Sequence, residues 1–244
     1  MGHETGEAEA QEVVVRIGQI ISARSQVEAA FELIRHEILS GALVPRSKLR
    51  FGMLSARYGF GAGTLREALT RLVGEALVTS EEQKGFRVAP ISLQDFTDIT
   101  HTRIFLEREA LRKSILAGDD AWEGRVVAAY HCLAKIEEKL AGAVHVSQDE
   151  FEARNRDFHQ ALISACPSPW LNHLHGILFQ QSERYRRIAL VNPIGSRDVH
   201  AEHRAIFEAV MARDVERACD CAGEHIEHTL AVISELAEFQ VPAT

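Results

Sequence analysis

Apolar residues recur at intervals of three and four along most of the chain, which is the spacing of amphipathic helices. In the first third, this spacing predicts three helices. The first begins at a capping box over 25–28 and ends at Gly41, the second covers Phe51 to Tyr58, and the third covers Thr64 to Glu75. Their inward faces are marked by Val27, Phe31, Ile34, Ile38, Leu54, Leu65, Leu69 and Leu72.

The pattern changes after the third helix. Two short β-prone runs, Leu77–Thr79 and Phe86–Ala89, flank a polar turn that contains Gly85, and together they predict a β-hairpin. Three helices followed by a hairpin form a winged helix-turn-helix. The stretch GALVPRSKL, between the first two helices, is expected to be a connector.

Pro90 marks the end of this domain, and the pattern beyond it is helical without a convincing strand or repeat. Six helix starts are marked by Ser92, Asp119 or Asp120, Ser147, Ser168, Ser196 and Asp214. The sequence therefore predicts a mostly α protein. It has a flexible tail over 1–24, a winged helix-turn-helix over 25–91 and an all-α six-helix bundle over 92–244.

The composition limits the class of protein. With 244 residues, of which 46% are hydrophobic and 25% charged, the chain can bury substantial cores and is not of the disordered type. No apolar run approaches the roughly 18 residues of a membrane span. The acidic start, MGHETGEAEAQE, is not a signal peptide, and the four cysteines include no C-x-x-C pair. A cytoplasmic protein with reduced thiols is expected.

Charge is distributed unevenly along the chain. The net charge is −8, but residues 25–91 carry +2 whereas residues 92–244 carry −8. A mildly basic front and an acidic back indicate two domains with different partners.

Gly59, Gly61 and Gly63 stand at alternate positions between the second and third predicted helices. A phosphate-binding loop would need a strand before the glycines, but the preceding GMLSARY is helical in pattern and no G-K-[ST] follows. A tight turn fits better, with Gly59 ending one helix and the next helix entering a DNA major groove. Thr64 and Arg66 then lie in its first turn, where Arg66 either contacts DNA or pairs with a surface carboxylate.

The stretch GTLREALTRLVGEALVTSEEQKGFRVAPIS resembles the N-terminal domain of GntR-type bacterial transcription regulators, in the L-R-E-A-L run at 65–69 and the G-F-R-V wing at 85–88. Family members usually have S-R-T-P where this chain has Gly61-Ala62-Gly63-Thr64, so a common base contact is missing. In this respect the chain is similar to a smaller group of carbon-starvation-induced, glutarate-responsive repressors. The DNA-binding residues expected from the motif and the resemblance are Arg50, Arg57, Thr64, Arg66, Lys84, Gly85 and Arg87.

Three of the twelve histidines, His159, His203 and His225, lie beside apolar residues on three different predicted helices. Such histidines are either hydrogen-bonded core residues or ligands that converge on one metal. The back domain resembles the FCD-type effector domain of the FadR branch of GntR regulators. That resemblance implies a metal held by Asn155 and the three histidines, with zinc expected and nickel or manganese as alternatives. Asn155 replaces the family's usual Asp, which removes a negative charge from the site.

Arg103 and Glu107 are four residues apart on the first helix of the back domain. They form either an ordinary helix ion pair or, as the resemblance implies, part of an effector site in which Arg103 grips a carboxylate. The predicted function is a homodimeric, DNA-binding transcription repressor, released from a palindromic operator by a small carboxylic acid such as glutarate. The alternatives are a transcription activator and a metal-dependent enzyme that uses the three histidines, although no H-E-x-x-H motif is present.

Overall fold

The computed structural model describes residues 26–81, 85–142, 145–191 and 197–236, so the predicted tail and the predicted caps Ser25 and Ser196 lie outside the described residues. Within those ranges the chain forms nine helices and one three-stranded sheet. It divides into two compact units, with the division between Ile91 and Ser92. The predicted fold class, a winged helix-turn-helix followed by an all-helical domain, is confirmed.

The first unit contains three helices and a small antiparallel sheet. Its elements are α1 (Gln26–Leu39), β1 (Lys48–Leu49), α2 (Phe51–Tyr58), α3 (Ala62–Gly74), β2 (Val78–Glu81) and β3 (Gly85–Val88). β3 lies between the other two strands. The core is formed by the predicted inward residues except Val27, which is half-buried, and Ile34, Leu54, Leu65, Leu69 and Leu72 are fully buried.

Two details of this unit differ from the prediction. The stretch expected to be only a connector contains β1, in which Lys48 pairs with Arg87 and Leu49 pairs with Phe86. Two residues are too few to show the alternation that marks a strand. α3 begins at Ala62 rather than Thr64 because Gly59, with φ 76° and ψ 4°, ends α2 abruptly and only two residues are needed before the next helix.

The second unit is a bundle of six described helices: α4 (Leu93–Ala117), α5 (Asp120–Ala141), α6 (Gln148–Ile163), α7 (Pro169–Val191), α8 (Val199–Met211) and α9 (Val215–Glu235). Polar side chains accept hydrogen bonds from first-turn amides at most of the helix starts, which satisfies groups that have no partner within the helix. These side chains are Ser92, Asp119, Ser147, Ser168, Asp198 and Asp214. Asp198 caps α8, two residues beyond the position that the sequence pattern suggested.

The interior of the bundle changes character along its length. The C-terminal half of α4 contributes Ala110, Leu111 and Ile115 to an apolar cluster around Trp122. Before that point, the same helix buries Thr100, Arg103 and Glu107 among other polar side chains. None of the described helices combines the length and apolar character needed to cross a membrane.

Candidate metal centre and nucleic-acid-binding unit

Three imidazoles converge in the polar part of the bundle. His159 on α6, His203 on α8 and His225 on α9 are buried, and one ring nitrogen from each lies within 4.8 Å of those of the other two. Their ring centroids are 4.5 to 5.7 Å apart. Histidines separated by up to 66 positions in the sequence are thus brought within reach of a single ion.

Each of these rings is oriented by a glutamate on another helix. The Nδ1–carboxylate contacts are His159–Glu107 at 2.8 Å, His203–Glu137 at 2.5 Å and His225–Glu202 at 2.7 Å. Carboxylates in this position fix the tautomer and the orientation of metal-ligating histidines and increase their basicity. The glutamates come from α4, α5 and α8, so five of the six helices contribute to the cluster.

The opposite nitrogens of two rings have no such partner. Nε2 of His159 and Nε2 of His203 are buried and make no hydrogen bond within the described part of the chain. Burial lowers the pKa of His159 to about 4, and burial together with the neighbouring His203 holds the pKa of His225 well below its usual range. Neutral imidazoles with unused Nε2 lone pairs fit a divalent metal. Asn155, one turn before His159 on α6, is also buried.

Arg103 and Glu107 form a buried pair in which Arg103 Nε donates to Glu107 Oε2 at 3.1 Å. The same carboxylate oxygen lies 3.2 Å from His175 Nε2, and the other oxygen contacts His159. Burial opposes ionisation of Glu107, but Arg103, His159 and His175 outweigh it and hold its pKa well below the usual range. Burial lowers the pKa of Arg103 to about 10, which still leaves it charged at neutral pH.

The Arg103 guanidinium also stands over the ring of Phe179, 4.5 Å from its centroid, and Arg186 stands 4.4 Å from the same centroid. Arg186 donates to Glu152, whose carboxylate is fully buried. The sequence patterns missed several members of this site: Glu137, Glu202, His175, Phe179, Arg186 and Arg197. A signal existed for Glu137, because it lies four residues after the buried Leu133 and directly after the buried Ile136.

In the first unit, the described residues expected to bind DNA lie at the two ends of α2, on α3 and on β3. Arg66 is exposed in the second turn of α3 with its guanidinium 5.2 Å from the centroid of Phe51, and Thr64 is partly exposed. Arg50 is exposed directly before α2. Arg57, at the other end of α2, donates to Glu37 at 2.6 Å.

On the wing, Gly85 is exposed with φ +83°, a conformation that favours glycine, and Arg87 donates to the carbonyl oxygen of Arg46. Lys84 lies outside the described residues. The helical segment before Gly59 excludes a strand-linked phosphate loop. Gly61 and Gly63 are exposed, and a Cβ added at either would meet no atom within 4 Å.

A winged helix-turn-helix followed by an all-helical domain is an architecture of DNA-binding transcription regulators. The family comparison is specific. Residues 26–88 match the model for bacterial regulatory proteins of the gntR family, and residues 98–228 match the FCD domain. The chain belongs to the GntR family and carries an FCD domain, so it is a transcription regulator and not an enzyme.

Relatives of known sequence agree with this assignment. The chain is 44% identical over 217 residues to the uncharacterized HTH-type transcriptional regulator BphR of Paraburkholderia xenovorans (strain LB400), with 88% of each chain covered. It is 36% identical over 209 residues to the HTH-type transcriptional repressor GlaR of Escherichia coli (strain K12), with 84% of this chain and 94% of GlaR covered.

Among solved structures, E. coli McbR/YncC matches the fold with a TM-score of 0.71 at 19% identity, over 87% of this chain and 98% of that one. At this level of identity the match supports the fold alone.

Proposed function

We propose that the protein is a repressor that leaves its operator when a small carboxylic acid binds beside a metal in the FCD domain. The observation that carries the proposal is the convergence of three carboxylate-oriented histidines, one of which, His159, shares the carboxylate of Glu107 with the buried Arg103. The name of the relative GlaR, a repressor at 36% identity, supports the direction of regulation.

The two parts of the chain divide this work. Residues 25–91 bind DNA through α3 and the wing, one half-site per protomer of a homodimer on a palindromic operator on the bacterial chromosome. Residues 92–244 bind the effector and contribute to the dimer. Effector binding favours a dimer geometry in which the two wings no longer match the half-sites, which is a population shift between two states.

The metal would be held by the Nε2 atoms of His159, His203 and His225, with Asn155 as a neutral fourth ligand. The buried, unpartnered Nε2 atoms of His159 and His203 fit this role. Zinc suits three imidazoles, and nickel and manganese are the alternatives. When bound, the ion supplies a positive centre that attracts a carboxylate oxygen.

Charge in the site supports an anionic effector. Two of the three orienting carboxylates contact guanidinium groups. Glu107 accepts a hydrogen bond from Arg103, and Glu202 accepts one from Arg197, which also donates to the carbonyl oxygen of His225. A dication bound to neutral ligands would leave this group of side chains with one excess positive charge, because Asn155 adds none of the negative charge that an Asp would bring. A carboxylate neutralises that excess.

Arg103 is the side chain best suited to grip such an acid. Its helix pair with Glu107 also exists in the structure, but an ordinary helix pair contributes a few tenths of a kcal/mol and needs no burial. Here Arg103 is only 4% exposed, so its charge is removed from water at a large desolvation cost. A guanidinium binds a carboxylate through two parallel hydrogen bonds. Resemblance to the carbon-starvation group favours glutarate or another five-carbon dicarboxylate.

The test is fluorescence anisotropy of labelled DNA from the region that flanks the gene, with random DNA as competitor and fixed salt, since contacts to phosphate are salt-dependent. Glutarate and related acids should release the metal-loaded wild-type protein. Arg103→Lys keeps a cation beside Glu107 but removes the planar guanidinium that can form two parallel hydrogen bonds. This change should raise the glutarate concentration for half-release at least tenfold. Arg108→Lys, which changes an exposed arginine on the same helix, is the matched control.

Specific DNA binding that no acid affects would refute the effector site and leave the DNA-binding role intact. Acids that tighten DNA binding would refute the release of the operator by the effector.

A further inference from the structure

Thr100 occupies the same inward face of α4 as Arg103 and Glu107, three and seven residues before them. Its side chain is fully buried. Its hydroxyl oxygen has no hydrogen-bond partner within the described part of the chain. A buried hydroxyl without a partner costs free energy, so one retained beside a ligand site suggests a partner that arrives with the ligand.

Other helical threonines show how this group is usually satisfied. The hydroxyls of Thr70, Thr97 and Thr229 each donate to the carbonyl oxygen four residues earlier in the helix. This back-bond is the common local solution for threonine in a helix. Thr97 makes it one turn before Thr100 on the same helix, whereas Thr100 does not.

Contacts between α4 and α7 place Thr100 along the bundle. The Tyr185 hydroxyl contacts Ser92 and Asp95 near the start of α4, and His175 contacts Glu107 farther along. The two helices are therefore antiparallel. Thr100 lies between the stacked rings of Phe96 and Tyr185 on one side and the level of Arg103 on the other. At 1.5 Å per residue, it is about 4.5 Å along the axis from Arg103 and about 10 Å from Glu107.

We propose that the Thr100 hydroxyl donates a hydrogen bond to the end of the effector that is distant from the histidines. This inference rests on the proposed function. An acid that extends from the metal past Arg103 can accept a hydrogen bond from Thr100 only if its far end carries an acceptor. The site therefore selects dicarboxylates over monocarboxylates. A buried polar group left unpaired by the wrong ligand is an effective basis for such discrimination.

The experiment compares Thr100→Val, which keeps the shape and removes the hydroxyl, with Thr100→Ser, which keeps the hydroxyl. The matched control is Thr97→Val, in which the lost hydroxyl was bonded to the carbonyl oxygen of Leu93. Two probes are titrated into the metal-loaded protein–DNA complex and, by calorimetry, into the protein alone. Glutarate has a second carboxylate, and valerate, of the same chain length, lacks it.

In Thr100→Val, the glutarate concentration for half-release and its dissociation constant should both rise about tenfold, whereas the values for valerate should not change. Thr100→Ser and Thr97→Val should respond to glutarate within about twofold of the wild type. The melting temperature of Thr100→Val should be equal to or above that of the wild type, since an unsatisfied hydroxyl has been removed. Its DNA affinity without acid should be unchanged, because Thr100 lies outside the DNA-binding unit.

A wild-type protein that responds to glutarate, together with a Thr100→Val variant that responds equally well, would overturn the role of Thr100 and leave the proposed function standing. Equal losses for glutarate and valerate would also overturn it, because the hydroxyl would then not distinguish the far end of the acid. A wild-type protein that binds neither glutarate nor any related acid would overturn both proposals.

Discussion

Nδ1 of His159 and Oε1 of Glu107 lie 2.8 Å apart, although 52 positions separate the two residues in the sequence. The other oxygen of the same carboxylate accepts a hydrogen bond from Arg103. Glu107 therefore connects the guanidinium proposed to hold the effector with an imidazole proposed to hold the metal. Occupation of one subsite changes the surroundings of a group that orients the other, and thermodynamic linkage makes such coupling reciprocal.

A substitution at Glu137 tests whether the carboxylates that contact the histidines increase metal affinity. Glu137→Gln should lower metal affinity about 10- to 100-fold, because an amide orients His203 less well and does not increase its basicity. Competition with a chromophoric chelator measures the affinity. The adjacent Glu138 is exposed, so Glu138→Gln should leave the affinity unchanged. Equal affinities in all three proteins would show that Glu137 does not support a metal ligand.

A substitution at the start of α3 should change stability and DNA affinity in opposite directions. Gly63 has a helical conformation and open space around it, so Gly63→Ala should raise the free energy of unfolding by up to about 1 kcal/mol. If DNA approaches this turn closely, the added methyl group should reduce operator affinity by about tenfold, or about 1.4 kcal/mol. Urea unfolding and anisotropy measure the two quantities.

Gly74, at the opposite end of α3, is equally free of contacts and provides the control. Gly74→Ala should leave operator affinity unchanged. Full DNA affinity in Gly63→Ala would show that this turn does not approach the DNA backbone.

Gly118 is required for a different physical reason. Its φ of −68° suits any residue, but a Cβ there would overlap the indole of Trp122, with Cδ2 only 2.5 Å away. The ring is fully buried and donates to the carbonyl oxygen of Ala161, so it has little freedom to move. Gly118→Ala should therefore destabilise the protein by about 1–3 kcal/mol.

The comparison for Gly118 is Gly124→Ala, at an exposed helical position with nothing within 4 Å. That change should stabilise the protein slightly. Differential scanning calorimetry should show melting temperatures that move in opposite directions, and a shared direction would contradict the steric explanation.

Tyr185 predicts how stability changes in alkali. Burial, reinforced by the hydrogen bond to Asp95, raises the pKa of its hydroxyl above the ordinary value. The Tyr185 hydroxyl contributes fully to stability at a pH below its pKa in the unfolded chain, which is about 10. This contribution is lost as pH rises further, because only the unfolded chain then releases this proton. Above pH 10, the free energy of unfolding of Tyr185→Phe should fall by up to about 1.4 kcal/mol less per pH unit than that of the wild type.

Urea unfolding at pH 8, 9.5 and 10.5 measures this difference. Parallel pH profiles for the two proteins would show that Tyr185 does not titrate differently in the folded and unfolded states. The absolute stability of Tyr185→Phe at pH 8 serves as the reference for its lost hydrogen bonds.

The periodicity of apolar residues was sufficient to predict the helices, because amphipathic helices bury one face in both units. Periodicity could not predict the shortest element, β1, which has only two residues. Lys48 and Leu49 join the sheet only because β3 lies beside them. The histidines could be nominated from their apolar neighbours and from resemblance. Their glutamate partners could not, since Glu137 and His203 are 66 positions apart and only the packing of α5 against α8 joins them.

The bundle's division into an apolar part around Trp122 and an ionic part around Glu107 separates two kinds of evolutionary constraint. Substitutions in the apolar part alter whether the domain folds. In the ionic part, where the proposed effector site lies, a change of one hydrogen-bonding side chain would alter which acid is sensed while the apolar packing persists. Under this proposal, a lineage of such regulators could acquire new chemical inputs without first rebuilding its scaffold, and the front domain would not need to change when the input does.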